Sequence, residues 1–246
     1  MQNKFSYFDF LAYFIPGVVL IWAITIAVKS FGVFPPLKTD NIVIDSLIFI
    51  VLAFVVGHFV QFRSREKTQE TIKKKFWNGT FVSNQFLIKD NKFCPDFKRQ
   101  RYIQLLQEHF NLKSADAQIL ETPENPEAKT ISDGMYRSCL TFITDQKIGE
   151  KATKANEYYN FFRGLSTTSF YSTIVFGISF IAILVQRFAE SNFSFNAFYK
   201  SALIPFLLAI FFGYATRAFQ IRAKQRGELH VAEVFDSMAG YFSKES

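Results

Sequence analysis

The sequence predicts an all-α membrane protein: four transmembrane helices in two hairpins, a helical cytosolic domain inserted between helices 2 and 3, and a C-terminal amphipathic cytosolic helix. Three observations predict it. Four mostly apolar stretches, residues 8–28, 42–62, 167–188 and 201–219, are each long enough to cross a hydrocarbon core of about 30 Å at about 1.5 Å per residue. Charge is missing where a soluble helix needs a wet face: residues 47–62 and 170–186 carry none, which makes these segments apolar all round. Finally, Lys and Arg crowd one side of the spans. With the amino terminus in the cytosol, fourteen of them flank the inner span ends and four the outer ends. The positive-inside rule then places both termini in the cytosol, and the net charge of +7 is largely a topology signal.

The chain therefore divides into a first hairpin (1–62), a cytosolic domain (63–165), a second hairpin (166–219) and a cytosolic tail (220–246). Asp9 opens the first span as a capping residue in the headgroup layer. Pro16 and Gly17 interrupt this span and mark a hinge, because proline removes a backbone donor and glycine adds freedom. The stretch is too long for a signal-peptide core, and Lys29, Ser30 and Phe31 give no small-residue cleavage site. It reads as a retained helix. Pro35 and Pro36 force a turn in the short outer loop 29–41.

In the second span, Ala53 and Gly57 are small residues four apart. Such pairs let helix backbones approach in lipid. Ala209 and Gly213 repeat the spacing in the fourth span, so the two pairs are expected to serve helix packing and oligomerisation. His58 and Gln61 follow near the cytosolic end of the second span. A polar side chain at this depth either bonds a neighbouring helix or lines a path, and Tyr214 is the matching group in the fourth span.

The insertion holds 18 Lys and Arg against 13 Asp and Glu. A helical spacing continues out of the second span through Phe76 until Asn78 and Gly79 end it as a left-handed cap. Residues 97–112 read as a helix, 121–127 as a proline-broken polar loop, and helical pattern resumes after Gly134. From Ala152 no proline intervenes before the third span, so one helix is expected to run on, with Gly164 as its flexible point. Tyr158, Tyr159 and Arg163, like Arg217 at the end of the fourth span, fall where aromatic belts and snorkelling cations belong. Residues 189–200 read as the second outer loop, and Pro205 breaks the fourth span. In the tail, Val231, Val234, Phe235, Met238, Tyr241 and Phe242 recur at helical spacing. The opposite face is mixed in sign, which favours packing on the cytosolic domain or another subunit over lying on lipid.

Enzyme chemistry has no foothold in the sequence. Phosphate loops, HExxH, GxSxG and dinucleotide glycine patterns are missing, and His58, His109 and His230 have no metal-ligand neighbours. No catalytic residue, metal or cofactor is expected. Cys94 and Cys139 read as buried small apolar residues. Without an RNA-binding or helix-turn-helix signature, nucleic acid is not an expected partner.

In layout the chain resembles the small four-helix bacterial inner-membrane proteins that accompany phage-defence and stress-response genes. The residues carrying the likeness are Tyr13 to Gly17, Gly57-His58, and Asn160 to Leu165. The resemblance implies a cytosolic part that senses a signal or partner and a membrane part that anchors, assembles or perturbs the bilayer. The expected function is that of a homo-oligomeric, non-enzymatic membrane effector or sensor in antiviral defence. The bilayer and a cytosolic protein bound through 63–165 and the tail are its expected partners. The alternative is an ion channel or small-solute transporter with His58 lining the path.

Overall fold

The computed structural model describes residues 7–30, 41–189 and 195–245. Helix makes up 84% of the described residues, with no strand among them. Among the described residues four helices are long and apolar enough to cross a membrane, the mark of a multi-pass membrane protein. In chain order the helices are α1 (Tyr7–Lys29), α2 (Ile42–Arg63), a π-helical turn (Ser64–Thr68), α3 (Gln69–Phe76), α4 (Asp96–His109), α5 (Ser114–Leu120), α6 (Pro126–Asp145), α7 (Glu150–Ala189) and α8 (Phe195–Glu245).

The chain packs as two compact units, residues 1–69 with 160–223 and residues 70–159 with 224–246. In the first, α1 and α2 meet backbone to backbone. A Cβ built on Gly17 would lie 1.7 Å from the Ala53 carbonyl oxygen, and one on Gly57 would lie 1.8 Å from that of Tyr13. Only glycine fits at such a crossing. Further along, Ala23, Phe176 and Phe212 form a buried cluster with Val19, Leu208 and Ala209 around it. The remaining faces are apolar and bare: Leu47, Val51, Val55, Phe59 and Phe62 stand exposed on α2 at helical spacing. This is the surface a helix presents to lipid, where burial inside protein is not needed.

The second unit has a soluble-type core. Phe86 and Phe235 stack at 5.0 Å, Tyr102 packs beside Phe235 at 5.5 Å, and Leu106, Leu120, Ile143, Val234 and Met238 are fully buried. The apolar stripe of residues 231–238 is thus covered by core side chains. Arg99 is buried between Asp96 at 3.0 Å and Glu121 at 2.6 Å, a pairing that offsets its loss of water. Asn78 and Gly79 take positive φ, and Gly79 N–H donates to the Lys73 carbonyl, which closes α3 as its sequence predicts.

Some expected boundaries change. Residues 114–120 form α5, and α6 starts at Pro126 rather than after Gly134. The reason is local: the Asn125 side chain accepts from Glu127 N–H at 2.9 Å, and proline at the first helical position gives up a donor that would have been orphaned anyway. Helix α8 begins at Phe195, inside the stretch expected to be loop, and runs unbroken through Pro205 into the tail. The Pro35–Pro36 turn lies outside the described residues, as does the side chain of Asp9.

Candidate functional site: a buried polar network and an aromatic cleft

The network belongs to the first unit and starts from a proline. Pro16 has no N–H, so the carbonyl of Ala12 one turn earlier loses its helical donor. The Gln61 side-chain amide supplies one, donating to Ala12 O at 2.8 Å and to Asn160 O on α7 at 3.2 Å. Its carbonyl oxygen accepts from Ser64 Oγ at 3.2 Å. One side chain, 4% exposed, thereby joins α1, α2 and α7. Gly164 makes room for it, since a Cβ there would sit 2.2 Å from Gln61 Nε2.

The π-turn that follows extends the network. Arg163, also 4% exposed, donates from Nε to Ser64 Oγ at 3.1 Å and from Nη1 to Gln69 Oε1 at 2.6 Å. Thr68 and Thr167 share a hydrogen bond between their hydroxyls. On flanking faces of α7, Thr168 donates to Pro16 O at 3.2 Å and Ser166 to Thr216 O at 3.2 Å. An inserted residue in the α2 to α3 helix re-aims Ser64, Thr68 and Gln69 toward α7, the kind of local distortion that π-turns provide. The groups are amides, hydroxyls and one guanidinium, so the cluster fixes helix positions rather than moving protons.

The cleft belongs to the second unit. It encloses about 330 Å³, and Trp77, Phe81, Tyr136, Tyr159, Asp133 and His230 shape it. Gly227 allows α8 to pass close by, as a Cβ there would lie 2.7 Å from the Trp77 ring. His230 Nδ1 lies 2.8 Å from the Ala152 carbonyl and Nε2 lies 2.8 Å from the Tyr136 hydroxyl. A carbonyl only accepts, so Nδ1 carries the proton and neutral Nε2 accepts from Tyr136. Burial pushes His230 below the ordinary histidine range, against the opposing Ala152 contact, and pushes the Tyr136 hydroxyl up to about 12. Asp133 accepts from Ser83 Oγ at 2.7 Å and from Arg137 Nε at 2.8 Å. A mostly apolar recess with a few fixed polar groups is the ordinary form of a small-ligand site.

The residues singled out in the sequence scatter. Gly57 and Ala53 lie buried against α1. Ala209 borders the buried aromatic cluster, while Gly213 is exposed with nothing within 4 Å of its would-be Cβ, so the two small-residue pairs are not equivalent within the protomer. His58 is exposed and stacks on Tyr13 at 4.1 Å, Gln61 is buried in the network, and Tyr214 is 76% exposed. These three do not converge on a path. Arg163 is not a snorkelling anchor, because the hydroxyl and amide acceptors on the π-turn hold it inside. Tyr159 is likewise buried, against Trp77, and Tyr158 lies under the Arg226 guanidinium at 4.9 Å, while Arg217 is exposed as an anchor would be. Pro16, Pro205 and Gly164 sit in uninterrupted helix, and the first and last of these serve contacts where hinges are expected. No group of three potential metal ligands occurs among the described residues.

Ser64, Thr68, Gln69, Thr167, Tyr136 and His230 went unnoticed as site residues in the sequence. A signal for the network existed in Pro16, whose freed carbonyl demands a donor from another helix. Nothing local announces the cleft, which joins residues 94 positions apart at its Tyr136–His230 bond. Comparison with protein-family models, curated proteins and solved structures gives no match.

Proposed function

We propose that the protein is a non-enzymatic membrane sensor or effector. Its polar unit receives a ligand or protein partner in the cytosol, while its apolar helices hold the bilayer and assemble with further copies. The observation that supports this reading is the course of α7. Asn156 and Tyr159 border the cleft, Arg163 and Thr167 belong to the network, and one uninterrupted helix carries all four. Tyr159 and Arg163 are one turn apart. A ligand that prefers one position of Tyr159 acts on the same helical segment that Arg163 fixes, which is the differential interaction a switch requires.

Both termini in the cytosol form part of this proposal and rest on the Lys and Arg asymmetry of the span flanks, while residence in a bacterial inner membrane rests on the resemblance in layout. A role in antiviral defence rests on the resemblance in layout. The scatter of His58, Gln61 and Tyr214 gives no support to conduction along them.

Two measurements on the full chain in native lipid test the reading. Leu140 also lines the cleft, and filling it with Leu140→Trp should change hydrogen-exchange protection of residues 61–69 and 160–167; unchanged protection there would count against coupling. Chemical crosslinking should trap species above the monomer. A strictly monomeric protein would sink the assembly claim.

A further inference from the structure

We propose that the second unit carries a separate binding site for a compact phosphorylated anion, formed by Lys89, Lys92 and Lys129. These three side chains line one recess of about 280 Å³, together with Asp90, Asn91 and Pro123. It lies apart in composition from the aromatic cleft, with which it shares no lining residue. The site would bind its ligand whether or not the sensor reading holds.

Charge decides the ligand class. The lining holds three lysines against one acidic residue, Asp90. Glu121 approaches Lys89 at 3.8 Å, but its other oxygen binds the buried Arg99 guanidinium at 2.6 Å. The short, part-buried bond claims most of that carboxylate, leaving Lys89 with a long and exposed contact of little weight. Lys92 Nζ donates to the Phe76 carbonyl at 3.1 Å and lies 5.2 Å from the Phe93 ring centre, which places the amine and leaves an N–H for a ligand. Lys129 has no side-chain hydrogen bond or ion pair among the described residues. Three lysines on a rigid frame are a polyanion site; the same three on a floppy loop would repel one another apart.

The frame is rigid. The Asn91 side chain donates to the carbonyls of Phe86 and Ile88 and accepts from the N–H groups of Phe93 at 2.7 Å and Cys94 at 2.8 Å. Lys89 N–H donates to Leu120 O at 3.0 Å, tying the loop to α5. Asp90 takes φ 59°, a left-handed turn that brings Lys89 and Lys92 to the wall of one recess. The small volume favours a diphosphate-sized group over a large ligand. A free phosphorylated metabolite and a phospholipid headgroup share this chemistry.

The test is titration calorimetry of the full-length protein in phosphatidylcholine nanodiscs with pyrophosphate as probe, repeated in nanodiscs containing an anionic phospholipid. Binding should be present, weaken steeply with salt, and fall at least about tenfold when Lys89, Lys92 and Lys129 are all changed to alanine, a loss of about 1.4 kcal/mol. The triple change to arginine should retain it, and Lys154→Ala, outside the recess, should leave it unchanged. Because all three lysines are exposed, folding should survive, and an unaltered melting curve checks this. Loss of pyrophosphate binding only in anionic nanodiscs would identify the headgroup as the natural source; retention in both would identify a free phosphate. No binding in phosphatidylcholine nanodiscs, or wild-type affinity in the alanine variant, overturns the proposal.

Discussion

Gln61 owes its role to a defect elsewhere in the chain. Pro16 strips Ala12 O of a donor, and an unpaired carbonyl inside an apolar helix pair costs on the order of 1 to 3 kcal/mol; Gln61 removes that cost at 2.8 Å. Restoring the backbone N–H with Pro16→Ala should therefore make Gln61 less necessary. A double-mutant cycle in detergent-solubilised protein should find Gln61→Leu destabilising by about 1 to 2 kcal/mol alone, and by about 1 kcal/mol less in the Pro16→Ala background. Strict additivity would mean that the amide acts through Asn160 or Ser64 instead. His230 makes stability depend on pH. His230 is held below its ordinary value of about 6.5, so below that pH the unfolded chain binds more protons than the folded one. Its contribution to stability is complete above about pH 6.5 and is lost as pH falls toward the lowered folded value. The melting temperature should drop between pH 7.5 and 5.5, and His230→Gln should flatten that slope while lowering stability at pH 7.5. An identical slope in the variant would place the titration elsewhere.

Individual helices were legible where their signal is local and hidden where it is not. The four spans announce themselves by length and lack of charge, and α3 ends at the expected Asn78–Gly79 cap. Helix α5 and the first turns of α6 did not, because Pro123 and Pro126 dominate a polar stretch in which Asn125 is in fact a cap. Glycine was the other difficulty. Gly57 and Gly213 look alike in sequence, each four residues after an alanine, yet one touches a neighbouring backbone and the other touches nothing. Spacing records that a helix could be approached, while the partner's own glycine, here Gly17, decides whether it is. This difference is measurable. Gly57→Leu should disrupt the α1 to α2 crossing at a cost of about 3 kcal/mol or more, seen as loss of folded protein in membranes, whereas Gly213→Leu should leave the protomer's stability within about 0.5 kcal/mol. A large loss of assembly without loss of folding in Gly213→Leu would assign that glycine to contacts between copies.

At the scale of the whole molecule, topology and chemistry are read from different parts of the chain. The contacts of Arg163 in the network and of His230 in the cleft join residues 78 to 99 positions apart in sequence, so periodicity could not reveal them. Orientation is the reverse case, since it is written in Lys and Arg near the span ends and needs no tertiary contact. It can be tested directly because the native thiols give little background: Cys94 and Cys139 are buried, and burial pushes both up to about 12, leaving almost no thiolate to react near neutral pH. A cysteine introduced at Thr39, between α1 and α2, should react with a membrane-impermeant maleimide in intact cells. One introduced at the exposed Thr141 of α6 should react only after permeabilisation. If both react in intact cells, α2 does not cross; if the pattern is reversed, the polar unit faces outward, and a cytosolic signal for the cleft is ruled out with it.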